Sequence, residues 1–333
     1  MGVGTSLPQR LQVELTNACS LSCASCARNE WDPIKNADAF MAEDTLHRLQ
    51  PFFDAALEVS FGGYGDPTLS PLLAAAVSQA SKAGAAVRVI TGGAALSQAL
   101  IKRLCEQGLD RLVLSMDGAR DESLRRLRGL PLSAYLRWLR SFREHRSSSI
   151  RPLLQLNFVA QRSNIAELPE LVELCAREDI AGLHVFHIQL YSNQGGKVSL
   201  LSCPELARPI FAQSAARAAE LGIFLHLPRL DGEPRDCRQP FEQLFVRHDG
   251  RVRGCCSAVF DPGDYGLEVG DLSSAPRDLW RAPILERYRR AAAAGRPEAL
   301  PKPCQSCSFR LPSLAAHRRP LTLLPERNAG ANP

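Results

Sequence analysis

Residues 11–28 read LQVELTNACSLSCASCAR. The first six have the apolar and polar alternation of a β-strand, and the strand is expected to stop at Thr16. A loop follows, carrying Cys19, Cys23 and Cys26 in the order C-x3-C-x2-C. Three thiolates this close, on a loop free to curl, can each bind one iron of a four-iron cluster. The fourth iron is then left without a protein ligand. A structural zinc site wants four closed ligands and pairs its cysteines as C-x2-C knuckles. A cluster caged wholly by protein for electron transfer wants a fourth cysteine. The triad suits an open iron better than either.

Outward from this loop, short β-rich runs alternate with longer amphipathic stretches. Strands are expected at 11–16, 57–61, 86–91, 111–115, 153–159 and 183–188, with helices at 72–82, 97–107, 132–144, 165–177 and 205–221. Parallel strands need a crossover, and a helix supplies it, so this repeat argues for βαβ units over residues 10–230. Six repeats suggest an α/β chain forming an incomplete barrel or an open parallel sheet. In both, ligands gather at the carboxyl ends of the strands. The pattern changes after Pro228. Residues 230–240 are rich in Pro, Asp and Arg and read as a linker. Runs 244–247 and 251–254 then flank His248-Asp249-Gly250, a hairpin signal, and a helix is expected over 279–294. A small second domain is therefore expected at 231–310, with a disordered tail at 311–333.

Composition narrows the classes. The 333 residues are 45% hydrophobic and 23% charged, which suits a globular chain with a real core. The formal charge of +5 suits an anionic ligand or an acidic redox partner. The basic stretch from Arg125 to Arg128, with Arg137, Arg140 and Arg143, reads as a solvated helix face and argues against a nucleic-acid partner. No signal-peptide layout and no run of eighteen apolar residues occurs, so a cytoplasmic address without membrane attachment is expected. In that setting eleven cysteines speak for metal or cluster ligation rather than disulfides. Cys105 and Cys175 read as small buried hydrophobes, and Cys203 stays unassigned.

The C-x3-C-x2-C spacing just after a first barrel strand resembles the signature of the radical S-adenosylmethionine superfamily. The resemblance implies a partial (β/α)6 TIM-like barrel in which Cys19, Cys23 and Cys26 hold a [4Fe-4S] cluster. S-adenosyl-L-methionine then chelates the open iron and is cleaved reductively to a 5′-deoxyadenosyl radical that takes hydrogen from a substrate. Ser60-Phe61-Gly62-Gly63-Tyr64-Gly65-Asp66-Pro67 resembles the family's Gly-Gly-Glu-Pro turn. It implies that Gly63, Gly65, Asp66 and Pro67 meet the methionine amino group. Ser115 and Asp117 in Ser115-Met116-Asp117-Gly118 resemble a Ser-x-Asp-Gly segment, and with Arg128 they imply contacts to ribose and carboxylate. Thr91 begins Thr91-Gly92-Gly93 where the family often has Thr-Asn-Gly. Ser25 stands where relatives usually place an aromatic residue against adenine.

A second group follows the barrel. Cys237 precedes Gly250 by twelve intervening residues, Cys255 follows after four more, and Cys304 and Cys307 form a C-x2-C pair. This resembles the auxiliary-cluster (twitch, or SPASM-like) domain of the same superfamily, built of a β-hairpin plus helix. It implies one auxiliary [4Fe-4S] cluster on Cys237, Cys255, Cys304 and Cys307. Zinc on the same four thiolates fits the spacing too. A cluster ligated on all sides cannot hold substrate, so electron transfer is its expected task. Cys256, beside a proposed ligand, is a candidate hydrogen donor for an epimerase. Asn157, His187, Gln189, Tyr191 and Asn193 are candidate substrate contacts.

A small sugar or aminocyclitol, dehydrogenated or epimerised, is the expected substrate, because the chain begins almost at its first barrel strand. Epimerisation or cross-linking of a ribosomally made peptide is the alternative. A flavodoxin or ferredoxin is the expected electron donor. A zinc- or cluster-binding scaffold protein is the non-enzymatic alternative.

Overall fold

A computed structural model describes residues 7–26, 28, 37–146, 152–188, 198–231, 237–256, 267–300, 304 and 313–316. Eleven strands are described: β1 (Arg10–Val13), β2 (Glu58–Phe61), β3 (Ala86–Thr91), β4 (Arg111–Ser115), β5 (Leu153–Ala160), β6 (Gly182–His187), β7 (Phe224–Pro228), β8 (Gln243–Val246), β9 (Arg251–Arg253), β10 (Glu268–Asp271) and β11 (Ser313–Ala316). Between them run α1 (Glu43–His47), α2 (Gln50–Ala55), α3 (Leu73–Lys82), α4 (Gln98–Glu106), α5 (Asp121–Arg128), α6 (Leu132–His145), α7 (Leu168–Arg177), α8 (Pro204–Leu221), α9 (Gln239–Glu242), α10 (Pro276–Trp280) and α11 (Pro283–Ala293). None of the described helices is long and apolar enough to cross a membrane.

One sheet joins all eleven strands in the order β10-β9-β8-β1-β2-β3-β4-β5-β6-β7-β11, and β1 to β7 run parallel to one another. This bears out the partial barrel. The strand alternation explains its two faces. Val59 and Phe61, Val87 and Val89, Leu112 and Leu114, and Leu154, Leu156 and Phe158 are buried in the core shared with Leu73, Val77, Ile101, Leu104 and Leu171. Each such side chain contributes roughly 1.5–3 kcal/mol by leaving water. The other face is polar. Gln12 accepts from Gln243 Nε2 at 3.0 Å, Arg88 Nε donates to Ser60 Oγ at 2.6 Å, and the His184 and His226 rings lie 5.5 Å apart. Burial, with His226, Arg111 and Arg88 nearby, pushes His184 down to about 3, so its ring is neutral at ordinary pH.

Helix ends follow their residues. Ser97 caps α4 by accepting from Leu100 N at 3.1 Å. Gly129 closes α5 at φ 72°, a left-handed conformation costly for other residues.

Several expectations change. The first strand ends at Val13, and Thr16 instead makes a lone bridge to Phe40. A seventh parallel strand, β7, follows α8. The expected 279–294 helix is two helices, because Pro283 opens α11 and cannot continue α10. The hairpin after residue 240 is not apart from the barrel: β8 lies parallel to β1, with Leu11 opposite Leu244. Within the expected disordered tail, Ser313–Ala316 pairs antiparallel with β7. The rest of that tail lies outside the described residues.

Candidate radical site and its neighbour

The cysteine loop is held by bonds from elsewhere. Thr16 Oγ1 donates to Ala39 O at 2.7 Å and accepts from Ala18 N at 3.0 Å. Asn17 Oδ1 accepts from Ala39 N at 2.7 Å. A turn places Cys26 N 3.0 Å from Cys23 O, and Ala24 N donates to Leu127 O at 3.0 Å. Ser25, at the position usually aromatic, accepts from Gln161 Nε2 at 2.7 Å. Cys19, Cys23 and Cys26 are half-buried. Burial pushes the Cys19 and Cys23 thiols up, and at Cys23 the Arg128 guanidinium opposes that shift. Such thiols keep their protons in water and exchange them for a metal.

The 62–67 loop lies directly against this one. A Cβ at Gly65 would collide with the carbonyls of Thr16 and Ala18, so only glycine permits the approach. Asp66 N donates to Ala18 O at 2.9 Å. The Asp66 carboxylate is buried and turned inward, against the expectation that it meets a ligand. Its Oδ1 accepts from Thr68 N at 3.0 Å and Thr91 Oγ1 at 2.7 Å, and its Oδ2 from Gly92 N at 2.9 Å. Asp66 and Thr91 thus tie the loops after β2 and β3 together. Gly63 is equally tight, since a Cβ there would lie 2.7 Å from Glu14 Cβ. Pro67 is buried and opens a short 3-10 turn capped by Asp66.

Beyond β4, Asp117 Oδ1 accepts from Val159 N at 2.8 Å and Oδ2 from Arg128 Nε at 2.6 Å. Arg128 Nη1 lies 3.9 Å from Cys23 Sγ. Arg128 is therefore not part of a solvated basic face, unlike Arg125, which pairs with Asp121 at the surface. A guanidinium fixed by one carboxylate and turned to a thiol puts positive charge where a cluster thiolate would sit. Ser115 accepts through its carbonyl from Tyr135 Oη at 3.1 Å.

In the second group, Cys255 and Cys304 both pack against the small apolar cluster of Leu267, Tyr288, Ala291, Ala292 and Leu300, as does Phe241 of α9. Cys237 stands just before α9 and accepts from Gln239 N at 3.4 Å. Arg289 pins the frame. It donates to Pro240 O at 2.9 Å and Trp280 O at 2.8 Å, and lies 4.1 Å over the Trp280 ring. Cys307 lies outside the described residues, as do Gln189, Tyr191 and Asn193. Cys256 is half-buried, and its carbonyl accepts from Tyr64 Oη at 2.6 Å.

Among the described residues, no three His, Cys, Asp or Glu groups converge as for a single metal ion. The donor chemistry fits a cluster with soft thiolate ligands. Cys105 and Cys175 are buried in the core, as expected. Cys203 is buried too, with Arg162 Nε 2.8 Å from its sulfur. His187 Nε2 lies 2.6 Å from Arg229 O, a structural tie. The sequence reading gave no functional role to Glu14, Tyr64, Gln161 or His248, although Tyr64 stands inside the glycine-rich turn.

The radical SAM superfamily model matches residues 13–175, and the SPASM iron–sulfur cluster-binding domain model matches 237–308. The second match begins at Cys237 and ends just past Cys307. A PqqA peptide cyclase of Gluconobacter oxydans (strain 621H) is 30% identical over 310 residues, covering 91% of this chain and 83% of that one. One of Granulibacter bethesdensis is 24% identical over 316 residues, covering 91% and 80%. The structure of Streptococcus suis SuiB bound to S-adenosylmethionine superposes with a TM-score of 0.68 at 16% identity, over 87% of this chain and 68% of that one. Its likeness is one of fold. The cofactors are accordingly S-adenosylmethionine, a [4Fe-4S] cluster and auxiliary iron–sulfur. From cysteine loop to C-terminal hairpin, the chain belongs to the radical S-adenosylmethionine superfamily and carries a SPASM domain.

Proposed function

We propose that this radical S-adenosylmethionine enzyme forms a bond within a peptide substrate by removing hydrogen from it. The observation that carries this is the 30% identity, along 91% of the chain, to a protein named for cyclising a peptide. It favours the alternative of a ribosomal peptide over the expected sugar or aminocyclitol.

Cys19, Cys23 and Cys26 hold the first cluster, leaving one iron open. When bound, that cluster and S-adenosylmethionine together supply reductive carbon–sulfur cleavage and a hydrogen-abstracting 5′-deoxyadenosyl radical. Gly63, Gly65 and Pro67 present backbone to the methionine end, with Asp66 and Thr91 fixing the loop from behind. Ser115, Asp117 and Arg128 line the neighbouring strand end, and Arg128 balances charge at Cys23. Cys237, Cys255, Cys304 and Cys307 enclose one auxiliary cluster. Closing the bond would release a proton to solvent and a second electron, and an auxiliary cluster on those four cysteines would supply the acceptor for that electron. A small acidic carrier of the flavodoxin or ferredoxin kind suits the charge of +5. A cytoplasmic setting suits reduced thiols.

To test this, reduced and reconstituted protein is given S-adenosylmethionine and a synthetic PqqA peptide, the substrate named for its relatives. The expected product is a peptide lighter by a pair of hydrogens, formed together with 5′-deoxyadenosine. In deuterated buffer, a peptide heavier by a single deuterium at one α-carbon, that deuterium lost in Cys256→Ala, would select epimerisation with Cys256 as donor. Turnover of a sugar but no peptide would overturn the reading.

A further inference from the structure

The loop after β2 and the strand that leads to Cys255 meet through one tyrosine. Tyr64 N donates to Glu14 Oε2 at 2.8 Å, which anchors the main chain at the base of the ring. The hydroxyl reaches the other way and donates to the carbonyl of Cys256 at 2.6 Å. The same Glu14 holds the turn between β8 and β9, with Oε1 3.0 Å from His248 Nδ1. Its own N–H donates to Val246 O at 2.8 Å. These links close a circuit. It runs from Glu14 to Tyr64, from Tyr64 to Cys256, back along β9 to His248, and so to Glu14.

The circuit has little slack. Glu14 is 2% exposed and His248 8%, so water does not readily replace either partner. A Cβ at Gly63 would lie 2.7 Å from Glu14 Cγ, which leaves the loop no room to drift towards the carboxylate. Hydrogen bonds of this length weaken steeply when stretched or tilted. A shift of the 62–67 loop is therefore passed to the carbonyl of Cys256, and a shift of that segment is passed back.

Resting on the reading that residues 62–67 hold S-adenosylmethionine and Cys255 an auxiliary cluster, we propose that Tyr64 is a positioning residue coupling the two cofactor sites. Occupancy of the glycine-rich loop fixes the segment that bears Cys255 and Cys256, and by linkage the second site affects the first to the same degree. The phenol hydroxyl is the specific element. Phenylalanine would keep the ring and its packing while removing the bond to Cys256.

Hydrogen exchange of the full chain, reconstituted anaerobically, tests this with and without S-adenosylmethionine. In wild-type protein the cofactor should slow exchange at residues 60–67 and, by about fivefold or more, at 251–256. In Tyr64→Phe, with unchanged iron content, slowing should persist at 60–67 and vanish at 251–256. The electron paramagnetic resonance signal of the reduced auxiliary cluster should respond to the cofactor in wild type and not in the variant. His248→Gln, which cuts the circuit on its other side, should also weaken the response at 251–256. An equal response at 251–256 in Tyr64→Phe, or none in wild type, would overturn the proposal. No slowing at 60–67 in wild type would instead overturn the cofactor reading beneath it, and the proposal with it.

Discussion

The two cysteine groups are built in opposite ways. Cys19, Cys23 and Cys26 share one loop, so their proximity is given by the chain itself, yet that loop has almost no structure of its own. Its order comes from polar bonds sent by distant residues: Ala39, Asp66, Leu127, Arg128 and Gln161. Cys237, Cys255 and Cys304 come from separate segments. Cys255 and Cys304 pack on an apolar frame, the Leu267–Tyr288–Leu300 cluster, and the buried Arg289 fastens that frame to α9, which follows Cys237. A site with local ligands thus depends on a polar surround, and a site with scattered ligands depends on packing. Glu14 belongs to the seam between them.

The contrast predicts independent loss. Cys23→Ala should reduce 5′-deoxyadenosine formation on the order of a thousandfold or more, since the cofactor carries the chemistry. The iron of the second site should stay. Cys255→Ala should do the converse, sparing uncoupled cofactor cleavage while abolishing the bond in the peptide. Loss of both metal sites from either change would break the comparison.

The seam should be costly to cut. Glu14→Ala leaves His248 and Tyr64 N without their acceptor in a buried setting, and should destabilise the fold by about 2–4 kcal/mol in urea unfolding. A loss below about 1 kcal/mol would mean that water fills the gap. Next in size is Arg128→Met, which removes the partner of Asp117 and the cation beside Cys23. It should weaken cofactor affinity or activity by about 10–100-fold with the auxiliary site unchanged. An equal effect at both sites would show that the polar surround is not local.

The smallest effect separates the barrel's polar inner face from both cysteine groups. His184 is held to about 3 in the folded chain against 6.5 when free. The unfolded chain therefore binds the extra proton between those values, and folding stability falls as pH drops below about 6.5. At pH 5 the loss reaches about 2 kcal/mol by this linkage. Melting curves at pH 7 and pH 5 should show a smaller drop for His184→Asn than for wild type. An identical drop would place the acid sensitivity elsewhere.

Much of this was legible in order along the chain. The cysteine triad, the glycine-rich turn and five of the six expected strands rest on local spacing and alternation, and they stand close to where the residues indicated. What escaped was set by partners far away in sequence. β7 is five residues long and ends in proline, and only its pairing with β6 and β11 makes it a strand. Nothing near Gln243 announces that β8 will lie parallel to β1 more than two hundred residues earlier. Asp66 was legible as an acid in the right turn, but its inward direction depends on Thr91 and Gly92 of another loop. Arg128 was legible both in a basic helix face and, by resemblance, as a cofactor contact, but its pairing with Asp117 and its approach to Cys23 depend on distant residues.

Metal and sulfide analysis tests the two-site account most directly. It compares anaerobically reconstituted wild-type protein with the variant in which Cys19, Cys23 and Cys26 are all alanine. The account predicts about eight irons with matching sulfide in the first and about four in the second, with no zinc in either. About four irons and one zinc in wild type, falling to zinc alone in the variant, would contradict it.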